Sequence, residues 1–195
     1  VANSPAVTHV RLRIFPDGGV ARLRVHGVVA PDLKRFAPGE ALDLAAIENG
    51  GVVIAANDMF FGPKDNLVMP GRGSHMGDGW ETRRRRGDGH DWVIVRLGAQ
   101  GRLQRLIVDT CHFKGNYPDR CTIEGLSAPG IADGDVERIP ATNWVKVLPE
   151  ARLEGHKVHD FGVPDGPGRG PFTHVRLTIF PDGGVSRLRV LGSLA

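Results

Sequence analysis

Apolar and polar residues alternate strictly at two places in this chain. Val10, Leu12 and Ile14 are separated by Arg11 and Arg13, and Val175, Leu177 and Ile179 by Arg176 and Thr178. A period of two puts apolar side chains on one face of an extended segment and polar ones on the other, the pattern of a half-buried strand. Pro-Asp-Gly-Gly follows in both places, at 16–19 and 181–184. The proline presets φ, and the glycines accept left-handed backbone. Val20, Leu23 and Val25, or Val185, Leu188 and Val190, then lead the chain back. The pattern predicts a β-hairpin in each place.

The two segments are near copies. Residues 8–27 and 173–192 differ only at Arg13/Thr178, Ala21/Ser186 and His26/Leu191. Their starts lie 165 residues apart, too far for a solenoid repeat and about the length of one domain. We therefore expect the last hairpin of an upstream unit (1–27), a linker holding Pro31, Pro38 and Gly39 (28–42), and a complete second unit (43–195). The chain opens on Val1 rather than Met, as expected of a fragment or a processed piece.

Within the second unit, Asp43 is placed to cap one helical turn over 44–48, stopped by Asn49-Gly50-Gly51. Strands are expected at 51–55, 92–97, 103–110, 120–124 and 143–148, with Gly98-Ala99-Gln100-Gly101 as a turn between the second and third. Residues 57–91 form a long polar, turn-rich stretch. Its Phe60, Phe61, Met69, Met76 and Trp80 argue for ordered packing. Many short strands, tight turns and no long helix predict an all-β fold, an antiparallel jelly-roll β-sandwich. The 27 glycines and 14 prolines agree with this.

Composition narrows the partners. No apolar run reaches the roughly 18–20 residues that span a bilayer, so no membrane partner is expected. The net charge of +3 is mild, and the arginines are scattered along strands with few aromatics between them. That argues against nucleic acid and for a small anionic ligand. Cys111 and Cys121 do not make a disulfide framework in a chain of this size. They are expected as free thiols in a reducing, cytoplasmic compartment.

Two polar clusters carry candidate chemistry. The first runs from Gly77 and Asp78 through Trp80, Glu81 and Thr82 to the four arginines 83–86, and closes on His90 and Asp91. Successive residues of an extended segment alternate in direction, so about two of the arginines can face one ligand. A planar guanidinium grips a carboxylate in bidentate fashion, which lysine cannot copy. The second cluster, Asp109 to Pro118, follows the apolar strand end Leu106-Ile107-Val108. If it stays extended, Thr110, His112 and Lys114 share one side. Asp109 and Asn116 have an alternative role, holding turn backbone through side-chain hydrogen bonds. Metal signals are weaker. His156 and His159 lie three apart with no matching pattern and read as solvated, and no metal or cofactor is expected, although a divalent ion is not excluded. Gly71-Arg72-Gly73 alone is too short a motif to signify.

These clusters, together with 61–67, 70–73, Gly89-His90-Asp91-Trp92 and both Pro-Asp-Gly-Gly segments, resemble the allantoicase (allantoate amidinohydrolase) family. The resemblance covers nearly the whole chain. It implies galactose-binding-like jelly rolls arranged as two repeats, of which this chain holds the tail of the first and all of the second. It also implies hydrolysis of allantoate to ureidoglycolate and urea, a step of allantoin degradation. On that reading His112 or Glu81 handles protons and Asp78 and Asn116 bind ureido nitrogens. Arg83, Arg84 and Lys114 hold the substrate carboxylate beside Trp80. A homo-oligomer is expected. The alternative is a degenerate sandwich that binds a ligand without turning it over.

Overall fold

The computed structural model describes residues 5–195. Ten strands form among them: β1 (Leu42–Asp43), β2 (Val52–Ala56), β3 (Trp80–Glu81), β4 (Asp91–Asp109), β5 (Arg120–Leu126), β6 (Val145–Arg152), β7 (Val158–Gly162), β8 (Phe172–Phe180), β9 (Gly184–Val185) and β10 (Arg187–Leu194). The long strand β4 organises them. Its first half is flanked by β8 and β2, and its second half by β10 and β7, all antiparallel. Two layers result, β6-β5-β8-β4-β2 and β7-β4-β10-β1, with β3 and β9 paired apart. Val93, Leu106, Ile123, Leu177, Ile179 and Leu188 meet between them in one buried core. The all-β sandwich expected from the sequence is the fold observed.

Three local expectations are corrected. Residues 98–101 are no turn, because β4 runs through them. Their glycines serve close approach instead. A Cβ on Gly98 would sit 1.9 Å from the Asn49 carbonyl oxygen, and one on Gly101 would sit 2.5 Å from Leu44 Cδ1. The turn capped by Asp43 forms later than expected, as a 3-10 turn over Ile47–Asn49. Asp43 instead accepts the amides of Ala45 and Val190, tying the turn to β10.

The third correction concerns the copies. Residues 173–192 make strands, but β8 and β10 do not pair with each other. Leu177 of β8 lies opposite Val93 of β4 and Ile123 of β5, whereas β10 pairs with β4 and β1. The segment is an arch that crosses the sandwich. A period of two announces a strand without naming its neighbour, and both edges of β8 are already occupied. In residues 8–27 no strand forms at all. Leu12 is 50% exposed while its counterpart Leu177 is fully buried. An isolated arch has no strands to receive its amides or cover its apolar face.

Residues 57–79 are held by other side chains than expected, since of the five named only Trp80 is fully buried and Phe60, Phe61 and Met76 are 65%, 61% and 45% exposed. Leu67 and Val68 are buried, Lys64 Nζ donates to the Val53 carbonyl at 2.7 Å, and Asn66 Nδ2 donates to the carbonyls of Gly77 and Gly79. Both cysteines are free and buried. Burial pushes the Cys121 thiol up to about 12. Iodoacetamide at pH 8 should therefore leave Cys121 unlabelled in the native chain and label it after denaturation. Mass spectrometry of the labelled protein checks this, and native labelling would show that the core opens.

Candidate active site

β4 ends at Asp109, and there the preceding loop folds down against it. Glu81 Oε1 accepts from Asn116 Nδ2 at 2.5 Å, and His112 Nε2 lies 2.9 Å from the Gly73 carbonyl. The Phe113 ring fills the space between the two segments. A Cβ on Gly79 would come within 2.6 Å of it, and one on Gly184 within 2.0 Å. The Gly184 amide donates to the Asn116 carbonyl at 2.8 Å. Both clusters thus lie at one end of the sandwich, held in part by the arch turn.

The expected site residues divide. Trp80 is corrected from ligand contact to core: it is fully buried, and its Nε1 donates to the Asp58 carbonyl at 2.8 Å. Asp78 accepts the Ser74 amide and hydroxyl, and those bonds, side chain first, hold its carboxyl below the usual range. It fastens the loop and is a poor proton carrier. Arg83 reaches Asp58 at 2.7 Å and lies over the Phe60 ring. Burial opposes ionisation of Asp58, but hydrogen bonds from the Arg83 side chain and the Phe60 and Arg83 amides outweigh it and lower its pKa. Arg85 is structural, paired with the buried Asp91. Arg84 and Lys114 remain exposed. Thr110 does not converge with His112, because the run does not stay extended past Asp109. Its buried hydroxyl donates to the Glu154 carbonyl at 2.6 Å.

His156, read as solvated, belongs to the site. Among the described residues His112 and His156 are the only non-glycine residues with positive φ, at 72° and 55°. Left-handed backbone at a bulky residue is unfavourable and tends to be kept where it places a functional group. The rings lie 5.6 Å apart. A carbonyl can only accept, so His112 carries its proton on Nε2 toward Gly73 and turns a bare Nδ1 outward. The His112 amide donates to His156 Nδ1 at 2.9 Å, so a neutral His156 carries its proton on Nε2. The pair offers one proton acceptor, His112 Nδ1, and one N–H donor, His156 Nε2. Cys111, His112 and His156 also bring one ligand atom each within 4.8 Å of one another, a spacing that could hold a metal ion. Ligation by His156 would cost the His112 amide its acceptor, so the hydrogen bonds favour proton transfer. His159 is buried rather than solvated. Its nitrogens bond the Glu154 amide and the Val108 carbonyl, a structural role.

Sequence reasoning missed the charged cleft alongside. A cavity of about 400 Å³ is lined by Arg72, Arg187 and Arg189 and by the carboxylates Asp43, Glu48 and Asp109. Arg72 Nε bonds Asp109 Oδ2 at 3.1 Å, and Asp109 Oδ1 accepts the Cys111 amide. Arg187 donates to the carbonyls of Gly71, Asp78 and Ser186. Its burial, and then Arg189 beside it, lower its pKa. Arg187 and Arg189 lie on the polar face of β10, opposite the core residues Leu188 and Val190, and carbonyls of Met69, Gly71 and Asp78 cover them there. The available signal was Arg72, which stands within the stretch 70–73.

A sandwich with its charged and imidazole groups on loops at one end is galactose-binding-like in architecture. The family 32 carbohydrate-binding module of Clostridium perfringens NanJ, solved with galactose, shares this fold at 14% identity and a TM-score of 0.53, over 78% of this chain and 99% of the module. A family model described as the allantoicase repeat matches residues 1–30 and 42–195. The chain belongs to the allantoicase repeat family. It is 51% identical over its full length to a probable allantoicase of Pseudomonas fluorescens strain Pf0-1, covering 58% of that protein, and 52% identical to probable allantoicase 2 of Burkholderia pseudomallei, covering 57%. The allantoicase structure from Saccharomyces cerevisiae superposes with a TM-score of 0.70 at 36% identity, over 85% of this chain and 45% of that one. The chain thus spans little more than half the length of these relatives. No helix among the described residues is long and apolar enough to cross a membrane.

Proposed function

We propose that this chain forms the catalytic part of an allantoicase, which converts allantoate and water to ureidoglycolate and urea. The observation that carries the reading is the His112–His156 pair, which sets a proton acceptor and an N–H donor on rings 5.6 Å apart. Allantoate is a carboxylate whose central carbon bears two ureido groups. One C–N bond breaks, its nitrogen takes a proton and leaves as urea, and the carbon takes hydroxyl from water. The reaction needs a base, an acid and a cationic anchor.

His112 Nδ1 takes the proton from water, and the imidazolium so formed passes it to the departing nitrogen, toward which His156 Nε2–H is a hydrogen-bond donor. Glu81 and Asn116, joined at 2.5 Å, receive ureido N–H groups. Arg84 and Lys114, with Arg72 at the cleft, attract the carboxylate. Arg83 and Asp78 act by holding the loop through Asp58 and Ser74. Residues 1–27 are the end of an upstream repeat, 28–42 the linker and 43–195 a complete repeat. In this reading the whole protein is a cytoplasmic homo-oligomer.

Urea release from allantoate, measured beside calorimetric binding, tests the proposal. Urea formation by residues 1–195 supports it. Heat of binding without urea would favour a ligand-binding sandwich that does not turn over, and neither signal would remove allantoate as the substrate.

A further inference from the structure

Asp109 is the last residue of β4, and its carboxylate serves two donors from different segments. Oδ1 accepts the Cys111 amide at 2.8 Å, and Oδ2 accepts Arg72 Nε at 3.1 Å. The residue is buried, so these bonds replace the water that its charge has lost. We propose that Asp109 is a positioning residue, which fixes the distance between the base His112 and a cationic anchor, Arg72, that grips the substrate carboxylate end-on. This role presupposes the proposed reaction and singles out Arg72 among the cations assigned to the carboxylate.

The bonds close a ring. It runs from Asp109 Oδ2 to the Arg72 side chain, along the backbone to Gly73, and from the Gly73 carbonyl to His112 Nε2 at 2.9 Å. It returns through the Cys111 amide to Asp109 Oδ1. That last bond spans two residues, the kind that shapes a turn, and His112 follows directly in left-handed backbone at φ 72°. The loop side is held as well, because the Gly71 carbonyl accepts Arg187 Nε at 3.2 Å and Arg189 Nη2 at 2.7 Å. Arg72 therefore stands between two carbonyls that are both fastened. Asp109 holds the anchor and the turn that carries the base.

Arg72 differs from the cations around it. Arg187 spends Nε and Nη1 on carbonyls, and Arg189 spends Nη2. Arg84 and Lys114 are exposed, and no side chain among the described residues holds either. Arg72 is fastened through Nε alone, and its half-exposed side chain leaves both Nη groups without a partner among the described residues. Those two groups present parallel N–H bonds that match the two oxygens of a carboxylate. A guanidinium already fixed in place also loses less freedom on binding than a mobile one.

The Asp109 backbone is held by the sheet, opposite Arg187 and Val158, so replacing its side chain should leave the fold in place. The test uses the chain of residues 1–195 with Asp109→Asn, Asp109→Ala, Arg72→Gln, and D109N with R72Q. Allantoate kinetics and NMR hydrogen exchange are the readouts. Asparagine offers one oxygen to two donors, and it should keep the local Cys111 bond and lose Arg72. D109N should therefore raise KM by about tenfold or more, with a smaller effect on kcat. The double variant should have the KM of R72Q alone. D109A, which loses both bonds, should also lower kcat by about tenfold or more and speed exchange of the Cys111 amide. A parental KM in D109N would overturn the proposal. So would a double variant whose KM is the product of the two single effects, or a lower unfolding midpoint and kcat at constant KM, the mark of a merely structural residue. The exchange of Arg72 Nε–H separates this role from the reaction itself. It should be slower than that of Arg84 in the parent and equally fast in D109N, with or without urea release; equal rates in the parent would overturn the proposal. If the parent binds allantoate without releasing urea, hydrolysis alone fails, and the calorimetric Kd decides the same comparison in place of KM.

Discussion

Replacing His112 with asparagine is expected to lower urea release from allantoate by about 10²–10⁴-fold, the usual contribution of a positioned general base. Asparagine tolerates left-handed backbone, so the loop should keep its shape while the imidazole is lost. Unfolding midpoints of the variant and the parent should agree, separating the chemistry from the fold. His156→Gln, which removes the proposed donor to the departing nitrogen, should also lower urea release, by about 10-fold or more, with an unchanged unfolding midpoint. A variant whose KM rises while kcat stays constant would make His112 a binding group only. Unchanged urea release by His156→Gln would remove His156 from the reaction.

The second large effect is on stability. Trp80→Ala should cost about 3–5 kcal/mol, the range for deleting a large buried aromatic side chain. The indole is fully buried, so no solvent fills its place at low cost. Its loss also strips the Asp58 carbonyl of a donor, and the Asp58 carboxylate in turn anchors Arg83. For a chain of this length the change corresponds to a fall in melting temperature of roughly 6–20 °C. Differential scanning calorimetry measures it. Trp80→Phe keeps most of the packing and should lose about 1–3 kcal/mol, the penalty for an unpaired buried carbonyl. A cost below about 1 kcal/mol for the alanine variant would show that the loop is held without the indole, against the fully buried position of Trp80.

The limits of sequence reading show at particular residues. Alternation found β8 and β10, and turn-poor apolar runs found β2, β5 and β6. It missed β7, whose Val158, His159 and Asp160 carry little apolar signal. The two polar clusters read from the sequence meet through the Glu81–Asn116 hydrogen bond, whereas Gly73, the partner of His112, lies in a motif too short to signify alone. His156 escaped because its role depends on the amide of a residue 44 positions away. Arg187 escaped because the loop carbonyls that cover it, of Gly71 and Asp78, lie more than 100 positions away in the chain.

The sequence by itself determined which segments are extended, that the fold is all-β, and the family resemblance, since these depend on local periodicity and residue identity. Only the tertiary structure decided what each strand pairs with. The two copies carry nearly the same residues, yet 173–192 is buried and 8–27 is exposed. A strand is completed by neighbours that accept its amides and cover its apolar face, and those neighbours, β4 and β5, are distant in the chain from the segment that needs them.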